Sequence, residues 1–207
     1  MLPMSEPEPR FRNPTGLPAE VLEHDFGCGS AWRWAREGET ALDLGCGSGK
    51  TCFLLSRVVG LAGRVIGVDA SPAMLAVARR HQEAVARAVG WSNVRFVESR
   101  IEDLMRPGSA RPLVPEAGVD LVVLDCVLTL AQIRDRGPIL DVAARALRSG
   151  GRILVSDIVR RDLEGIPEAL ALAGFEEAEV VERSEEVRRA VDGVPRYATT
   201  VRARRPV

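Results

Sequence analysis

The sequence predicts an α/β fold in which a doubly wound, mostly parallel sheet is covered by helices on both faces. Short apolar runs of strand length alternate with longer segments of helical periodicity from residue 40 to residue 173. This alternation is typical of parallel strands joined by crossover helices. The nearly continuous apolar run from Val119 to Asp125 indicates a central strand that is buried on both faces.

Length and charge limit the class of protein further. A chain of 207 residues with 46% hydrophobic content fits one globular domain with a full core. The 28 basic and 29 acidic residues nearly cancel, which argues against a nucleic-acid partner. Neither a signal peptide nor a membrane-length apolar run is found, so we expect a cytoplasmic protein with no membrane partner. Four cysteines in that compartment are expected to be thiols.

Turn and cap residues set the predicted boundaries. Residues 1–38 are predicted to form a proline-rich arm and a cap segment, and residues 39–207 the main domain. Gly60 and Gly174 end helices, whereas Pro72 and Pro138 begin them. Strands are predicted at Thr40–Leu44, Arg64–Val68, Asn93–Val97, Val119–Asp125, Arg152–Ser156, Ala178–Glu182 and Arg196–Arg202, and helices at Lys50–Val59, Pro72–Val89, Pro138–Leu147 and Ile166–Ala173.

A glycine-rich turn follows the first strand, in the segment Asp43-Leu-Gly-Cys-Gly-Ser-Gly49. A phosphate-binding P-loop needs four residues between its first glycine and Gly-Lys-Thr, and Gly45 has only three. A dinucleotide fingerprint would place its third glycine one residue after Gly49. The carboxylate of Asp43 would repel a pyrophosphate and attract a cation. S-adenosylmethionine, which carries an ammonium and a sulfonium but no phosphate, therefore suits this loop best.

Acidic residues recur where the predicted strands end. Asp43, Asp69, Asp125 and Asp157 all lie at carboxyl ends of strands, and Cys126 follows one of them. Ligands of open α/β sheets bind at this edge. Asp69 comes about twenty residues after the glycine turn, where an acid can bind a ribose. It could equally cap the helix that begins at Pro72, although the preceding serine is a better cap.

Three segments resemble the motifs of class I S-adenosylmethionine-dependent methyltransferases: Asp43–Gly49, Gly67–Ser71 and Leu147–Asp157. The resemblance implies a Rossmann-like doubly wound, mostly parallel seven-stranded sheet with helices on both faces and an antiparallel strand in the last hairpin. It implies that the glycine turn holds the methionine portion, that Asp69 binds the ribose and that side chains after it flank the adenine. Arg100 departs from the aspartate of many relatives. The implied cofactor residues are Asp43, Gly45, Cys46, Gly47, Ser48, Gly49, Asp69, Ala70, Met74, Ile101, Glu102 and Asp125.

Four further segments resemble the arsenite methyltransferase family: Phe26–Ser30, Gly49–Phe53, Gly90–Phe96 and Asp125–Leu130. The resemblance implies that Cys126 and Cys52 bind trivalent arsenic and that Cys28 acts as a relay or third thiolate. Thiolates prefer such soft centres. The alternative for each cysteine, and the preferred interpretation of Cys46, is a small buried hydrophobic residue.

The sequence departs from that family after the fifth strand. Asp157 continues into the next helix without the insertion and the further cysteine that arsenite enzymes carry. Methyl transfer to oxygen, nitrogen or carbon of a small organic metabolite is therefore an alternative, with Asp125 or Asp157 as a base, or with the acid only stabilising cofactor charge. A cofactor-binding relative without turnover is another. We predict a small-molecule or metalloid acceptor, no metal site, and a chain compatible with a homo-oligomer.

Overall fold

Seven strands form the sheet in a computed structural model that describes residues 16–25, 27, 29–105, 114–128, 133–159, 165–184, 189–191 and 194–207. The order across the sheet is β3-β2-β1-β4-β5-β8-β6, and a short strand, β7, pairs only with β8. Strands β1 to β5 are parallel, whereas β8 is antiparallel to β5 and β6. The strands are β1 Thr40–Leu44, β2 Arg64–Asp69, β3 Val94–Glu98, β4 Val119–Asp125, β5 Leu147–Val159, β6 Glu176–Arg183, β7 Arg189–Val191 and β8 Val194–Arg204. This arrangement confirms the predicted fold class.

Among the described residues, helix α1 Ala19–Glu23 precedes the first strand, and the helices between later strands are α2 Lys50–Val59, α3 Pro72–Val89, α4 Ile133–Ala146 and α5 Ile166–Leu172. Two short 3₁₀ helices lie at Ala31–Trp34 and Ile101–Asp103. Helix α3 begins as predicted, because the Ser71 hydroxyl accepts a hydrogen bond from the backbone N–H of Met74 at 3.3 Å. In the described ranges no helix is long and apolar enough to cross a membrane.

Helix α4 begins earlier than predicted. It starts at Ile133, and Pro138 lies inside it rather than at its first position. Proline disfavours helical backbone at the residue before it mainly through that residue's Cβ, and Gly137 has none. Strand β5 also begins earlier than predicted, at Leu147 rather than at Arg152, and its register with β4 shifts between these two residues. Residues 1–15 of the predicted arm lie outside the described residues.

Two apolar layers cover the two faces of the sheet. Leu42 and Val122 face α4 and α5 in one layer, whereas Ala41 and Val123 face α2 and α3 in the other. Alternate residues of a strand point to opposite faces, so Asp43 shares the face of Ala41. Its carboxylate therefore lies on the side of the sheet that α2 covers.

Gly67 makes room for two thiols within the second layer. A Cβ atom at this position would lie 2.5 Å from Sγ of Cys52 and 3.0 Å from Sγ of Cys46. Gly67 is the neighbour of Asp43 in the register between β1 and β2. The missing side chain thus creates the space beside Asp43 into which the first turn of α2 packs.

We expect Gly67→Ala to lower the free energy of unfolding by about 1–3 kcal/mol, because the added methyl group overpacks a closed site. Urea denaturation would measure the loss. Adding Cys52→Ala should recover part of it, since the nearest clashing atom is then gone and the two positions are coupled. Strictly additive losses in the double variant would contradict this packing.

Candidate active site

A cavity of about 560 Å³ opens at the carboxyl ends of the parallel strands. Its wall combines the glycine turn, the ends of β2 and β4, the 3₁₀ segment after β3 and the residues that follow α1. The lining residues are His24, Asp25, Gly27, Asp43, Gly45, Cys46, Gly47, Ser48, Thr51, Asp69, Ala70, Met74, Ser99, Arg100, Ile101, Glu102, Asp125, Cys126 and Val127. Of the predicted cofactor residues, Gly49 alone does not line it.

The glycine turn is folded tightly against the sheet. Gly45, Gly47 and Gly49 have φ angles of 80°, 52° and 86°, which side-chain-bearing residues rarely adopt. A Cβ at Gly45 would lie 2.7 Å from Cγ2 of Val127, and one at Gly49 would lie 2.9 Å from the Phe96 ring. The turn therefore needs glycine both for its backbone conformation and for its close contacts.

Asp69 braces this turn from the end of β2. Its carboxylate accepts hydrogen bonds from the backbone N–H of Gly47 and from that of Ser71, each at 2.8 Å. The side chain also lines the cavity. Asp69 thus supports the helix start, as one prediction held, while facing the space that a ribose would occupy. The capping hydrogen bond within α3 comes from Ser71.

Asp43 is the most deeply buried acid of the site, with 1% of its surface exposed. Its Oδ2 accepts a hydrogen bond from the thiol of Cys52 at 3.1 Å. Burial, together with repulsion from Asp125, Asp69 and Asp25, raises the pKa of Asp43 to about 7, although the Cys52 hydrogen bond acts in the opposite direction. The site therefore concentrates negative charge where a cation would relieve it.

Asp125 holds the segment after α1 against the sheet. One carboxylate oxygen accepts a hydrogen bond from the backbone N–H of Gly29 at 3.1 Å, and the other accepts one from the hydroxyl of Thr51 at 3.3 Å. A Cβ at Gly27 would lie 2.5 Å from Oδ2 of Asp125. These contacts favour a bracing role over the role of general base that the sequence suggested as one alternative.

Cys126 follows β4 with a φ angle of 58°, in the left-handed region. Its backbone N–H donates to the carbonyl oxygen of Ser156 at 2.7 Å, which fixes this conformation. A residue other than glycine is strained there, and such strain concentrates at functional sites. Cys126 lines the cavity. Cys126 therefore lies in the wall of the same cavity as the glycine turn.

The other cysteines predicted to act at the site are not all placed in the cavity wall with Cys126. Cys52 is fully buried behind the glycine turn and does not line the cavity. Burial raises its pKa well above the ordinary value. Cys46 does line the cavity, and its pKa is raised too, with burial and the charge of Asp43 as raising causes. Cys28 lies outside the described residues.

Sequence reasoning missed the contribution of the segment after α1. His24 and Asp25 line the cavity, and Asp25 forms an ion pair with Lys50 at the start of α2. Nδ1 of His24 lies 2.9 Å from the carbonyl oxygen of Glu20. The sequence shows a single lysine, Lys50, and an acid, Asp25, shortly before Gly27. Their pairing becomes visible only in the folded chain.

Comparison with known families is consistent with this geometry. The family model described as "Methyltransferase domain" matches residues 35–201. The chain belongs to this family. S-adenosylmethionine is the methyl donor of the class, and the predicted cofactor is thereby confirmed. A phosphoethanolamine N-methyltransferase from Haemonchus contortus, crystallised with S-adenosyl-L-methionine, shares the fold at a TM-score of 0.60 and 18% identity, over 83% of this chain and 50% of that one.

Arsenite methyltransferases are among the relatives of this methyltransferase domain. Those of Aquipseudomonas alcaligenes and Homo sapiens are 37% and 34% identical to it over 67% of this chain. The chain spans 38% and 36% of their lengths. An arsenic(III) S-adenosylmethionine methyltransferase from Chlamydomonas reinhardtii has a TM-score of 0.77 at 29% identity, over 97% of this chain and 74% of that structure.

The cavity of the methyltransferase domain fits the cofactor class. Asp43, Asp69 and Glu102 line it with carboxylates that could bind an ammonium group and ribose hydroxyls, and Ala70 and Met74 add apolar surface beside the loop. No basic side chain of the glycine turn reaches the cavity as a phosphate-binding loop would require, because Lys50 is paired with Asp25. The donor set of the described residues therefore suits S-adenosylmethionine.

Asp43→Asn tests the charge of this site. Asp43 keeps its proton up to about pH 7 in the folded state but loses it near pH 4 in the unfolded chain, so stability falls as pH rises between these values. The variant should therefore be more stable than the parent by about 1–4 kcal/mol at about pH 8, with a smaller gain at about pH 5.

The same variant should bind S-adenosylmethionine at least about 10-fold more weakly, because the neutral amide no longer attracts a cation. Thermal unfolding at both pH values and calorimetric titration would measure the two effects. A variant that is less stable at about pH 8, or that binds the cofactor as tightly as the parent, would contradict this account.

Proposed function

We propose that this chain transfers the methyl group of S-adenosylmethionine to trivalent arsenic held by Cys126. The observation that carries the proposal is the position of Cys126 in the wall of the cavity that the glycine turn also lines, on a strained backbone. S-adenosylmethionine supplies a methyl group on a positively charged sulfur. The arsenite methyltransferase relatives support arsenic as the acceptor.

The side chain of Cys126 suits the capture of arsenic. A thiol exchanges onto trivalent arsenic by forming a sulfur–arsenic bond, and its proton leaves with the departing thiol or water. Sulfur ligands are preferred by such a soft centre. The lone pair that arsenic retains would form the carbon–arsenic bond while the sulfur–methyl bond of the donor breaks, and its electron pair would leave with S-adenosylhomocysteine. The protein's own contribution is to align this centre and to exclude water from it. No general base is required for that step.

A second candidate function is methyl transfer to a small organic metabolite. It is favoured by the seclusion of Cys52, which leaves Cys126 and Cys46 as the cysteines that line the cavity in the described part of the chain. His24 at the cavity rim, with Nδ1 turned to a carbonyl oxygen, would leave Nε2 to take up a proton from an oxygen or nitrogen acceptor. A cofactor-binding chain without turnover is the remaining alternative.

The experiment that separates these functions is an arsenite methylation assay with purified protein, S-adenosylmethionine and a reducing thiol. Methylated arsenic would be detected by mass spectrometry. A panel of small oxygen and nitrogen acceptors would be assayed in parallel. Arsenic products alone support the proposal, organic products alone support the second candidate, and cofactor binding without any product supports the third.

Cys126→Gly is the sharpest variant for this assay, because glycine keeps the left-handed backbone while it removes the thiol. We expect cofactor binding within about 2-fold of the parent, unfolding stability at least equal to it, and arsenic methylation lowered by about 100-fold or more, equivalent to about 2.7 kcal/mol. Cys126→Ala, which retains the strained backbone, is the matched control and should lose as much activity. Undiminished methylation in both variants would exclude the thiol as a ligand.

A further inference from the structure

We infer that Cys52 positions the cofactor-binding carboxylate of Asp43 by donating a hydrogen bond to it, and does not bind the acceptor. This inference rests on the proposed role of Asp43 towards the cofactor and is independent of which acceptor is methylated. It assigns Cys52 a role different from the arsenic ligand that the sequence resemblance implied.

The contact between the two side chains is direct and enclosed. Sγ of Cys52 lies 3.1 Å from Oδ2 of Asp43, and neither side chain has more than 1% of its surface exposed. Helix α2 brings Cys52 to this place in its first turn, directly after the glycine turn. The register of the sheet puts Gly67 beside Asp43, and the missing side chain of Gly67 accommodates the sulfur.

The surroundings of Asp43 explain why a neutral donor is placed there. Asp25, Asp69 and Asp125 all repel the charged form of the carboxylate. The nearby lysine, Lys50, is paired with Asp25. A buried thiol is a hydrogen-bond donor that brings no charge of its own, and a bond donated to a carboxylate favours its charged form. Cys52 therefore helps Asp43 to stay ionised for a cationic ligand.

The same seclusion separates Cys52 from acceptor chemistry. A thiol must lose its proton to bind a soft centre, and burial together with the neighbouring Asp43 opposes that loss. Asp43, in contrast, lines the cavity. The Asp43 carboxylate thus lies between the Cys52 thiol and the cavity. Cys126 lines the cavity from the end of β4.

Cys52→Ala and Cys52→Ser test the inference through binding alone. The affinity for S-adenosylhomocysteine, which keeps the ammonium group of the cofactor, would be measured by calorimetry from about pH 6 to about pH 9. The affinity of the parent should rise with pH as Asp43 ionises. In Cys52→Ala the midpoint should move up by about one pH unit and the affinity at about pH 7 should fall by up to about 10-fold. Cys52→Ser should retain most of the parent profile, because its hydroxyl is also a donor.

Ser56→Ala is the matched control for a loss of stability in α2. The Ser56 hydroxyl is buried one turn after Cys52 and hydrogen-bonds to Oδ1 of Asn93 at 2.5 Å. Its removal should lower the unfolding temperature without moving the pH midpoint of binding. An unmoved midpoint in Cys52→Ala, or an equal displacement in Ser56→Ala, would overturn the positioning role.

A second measurement uses the unaltered protein and does not depend on the folding of any variant. The native chain would be alkylated with and without arsenite, and the modified cysteines would be identified by peptide mass spectrometry. Cys52 should remain unmodified in both samples. Rapid modification of Cys52 that arsenite suppresses would show that it is an acceptor ligand and overturn the inference. Failure of arsenic methylation itself would leave these binding results intact and would bear on the proposed function alone.

Discussion

The site depends on a carboxylate, that of Asp43, which is buried among other acids at the edge of the sheet. Moving a carboxylate out of water disfavours its charged form, and neighbouring negative charges add to this effect. The pKa of about 7 shows that ionising this carboxylate costs free energy when no cation is bound. A cationic ligand stabilises the charged carboxylate. The free protein is therefore less stable than the protein with its ligand bound. The glycine turn, the end of β2 and the first turn of α2 are all arranged around this one group.

Much of this arrangement follows from the sequence. Strand ends and the glycine turn could be predicted because a parallel sheet collects the carboxyl ends of its strands at one edge. Asp43, Asp69, Asp125 and Cys126 line one cavity as predicted. Asp157 does not, because β5 continues to Val159 and buries this fourth acid within the strand. The face on which Asp43 lies was also accessible from the sequence, since it shares the strand alternation of Ala41. The sequence pattern therefore predicts well where short strands end and which face of the sheet their side chains occupy.

The remaining features depend on contacts between distant segments. The direction of Cys52 is set by the rotation of α2 after a turn with three left-handed glycines, and spacing alone does not give that rotation. His24 and Asp25 reach the cavity through contacts between distant segments, among them the ion pair of Asp25 with Lys50 and the hydrogen bond of Gly29 to Asp125 across 96 positions of the chain. Helix α4 starts early and continues through Gly137 and Pro138. Propensity rules predict that a glycine followed by a proline interrupts a helix. Each miss reflects tertiary structure that overrides a local signal.

The two thiols that the arsenite resemblance paired are thus divided between two tasks. Cys52 donates a hydrogen bond to Asp43 and does not line the cavity, whereas Cys126 lines it. Under the proposed function Cys126 supplies one of the three bonds of trivalent arsenic and small thiols supply the others, since the pKa of Cys46, the other cysteine that lines the cavity, is raised. An acceptor bound through one protein thiol would exchange rapidly, because a single sulfur–arsenic bond lacks the gain in effective concentration that chelation provides. The turnover of such a site would then depend on the concentration of the small thiol as much as on that of arsenite.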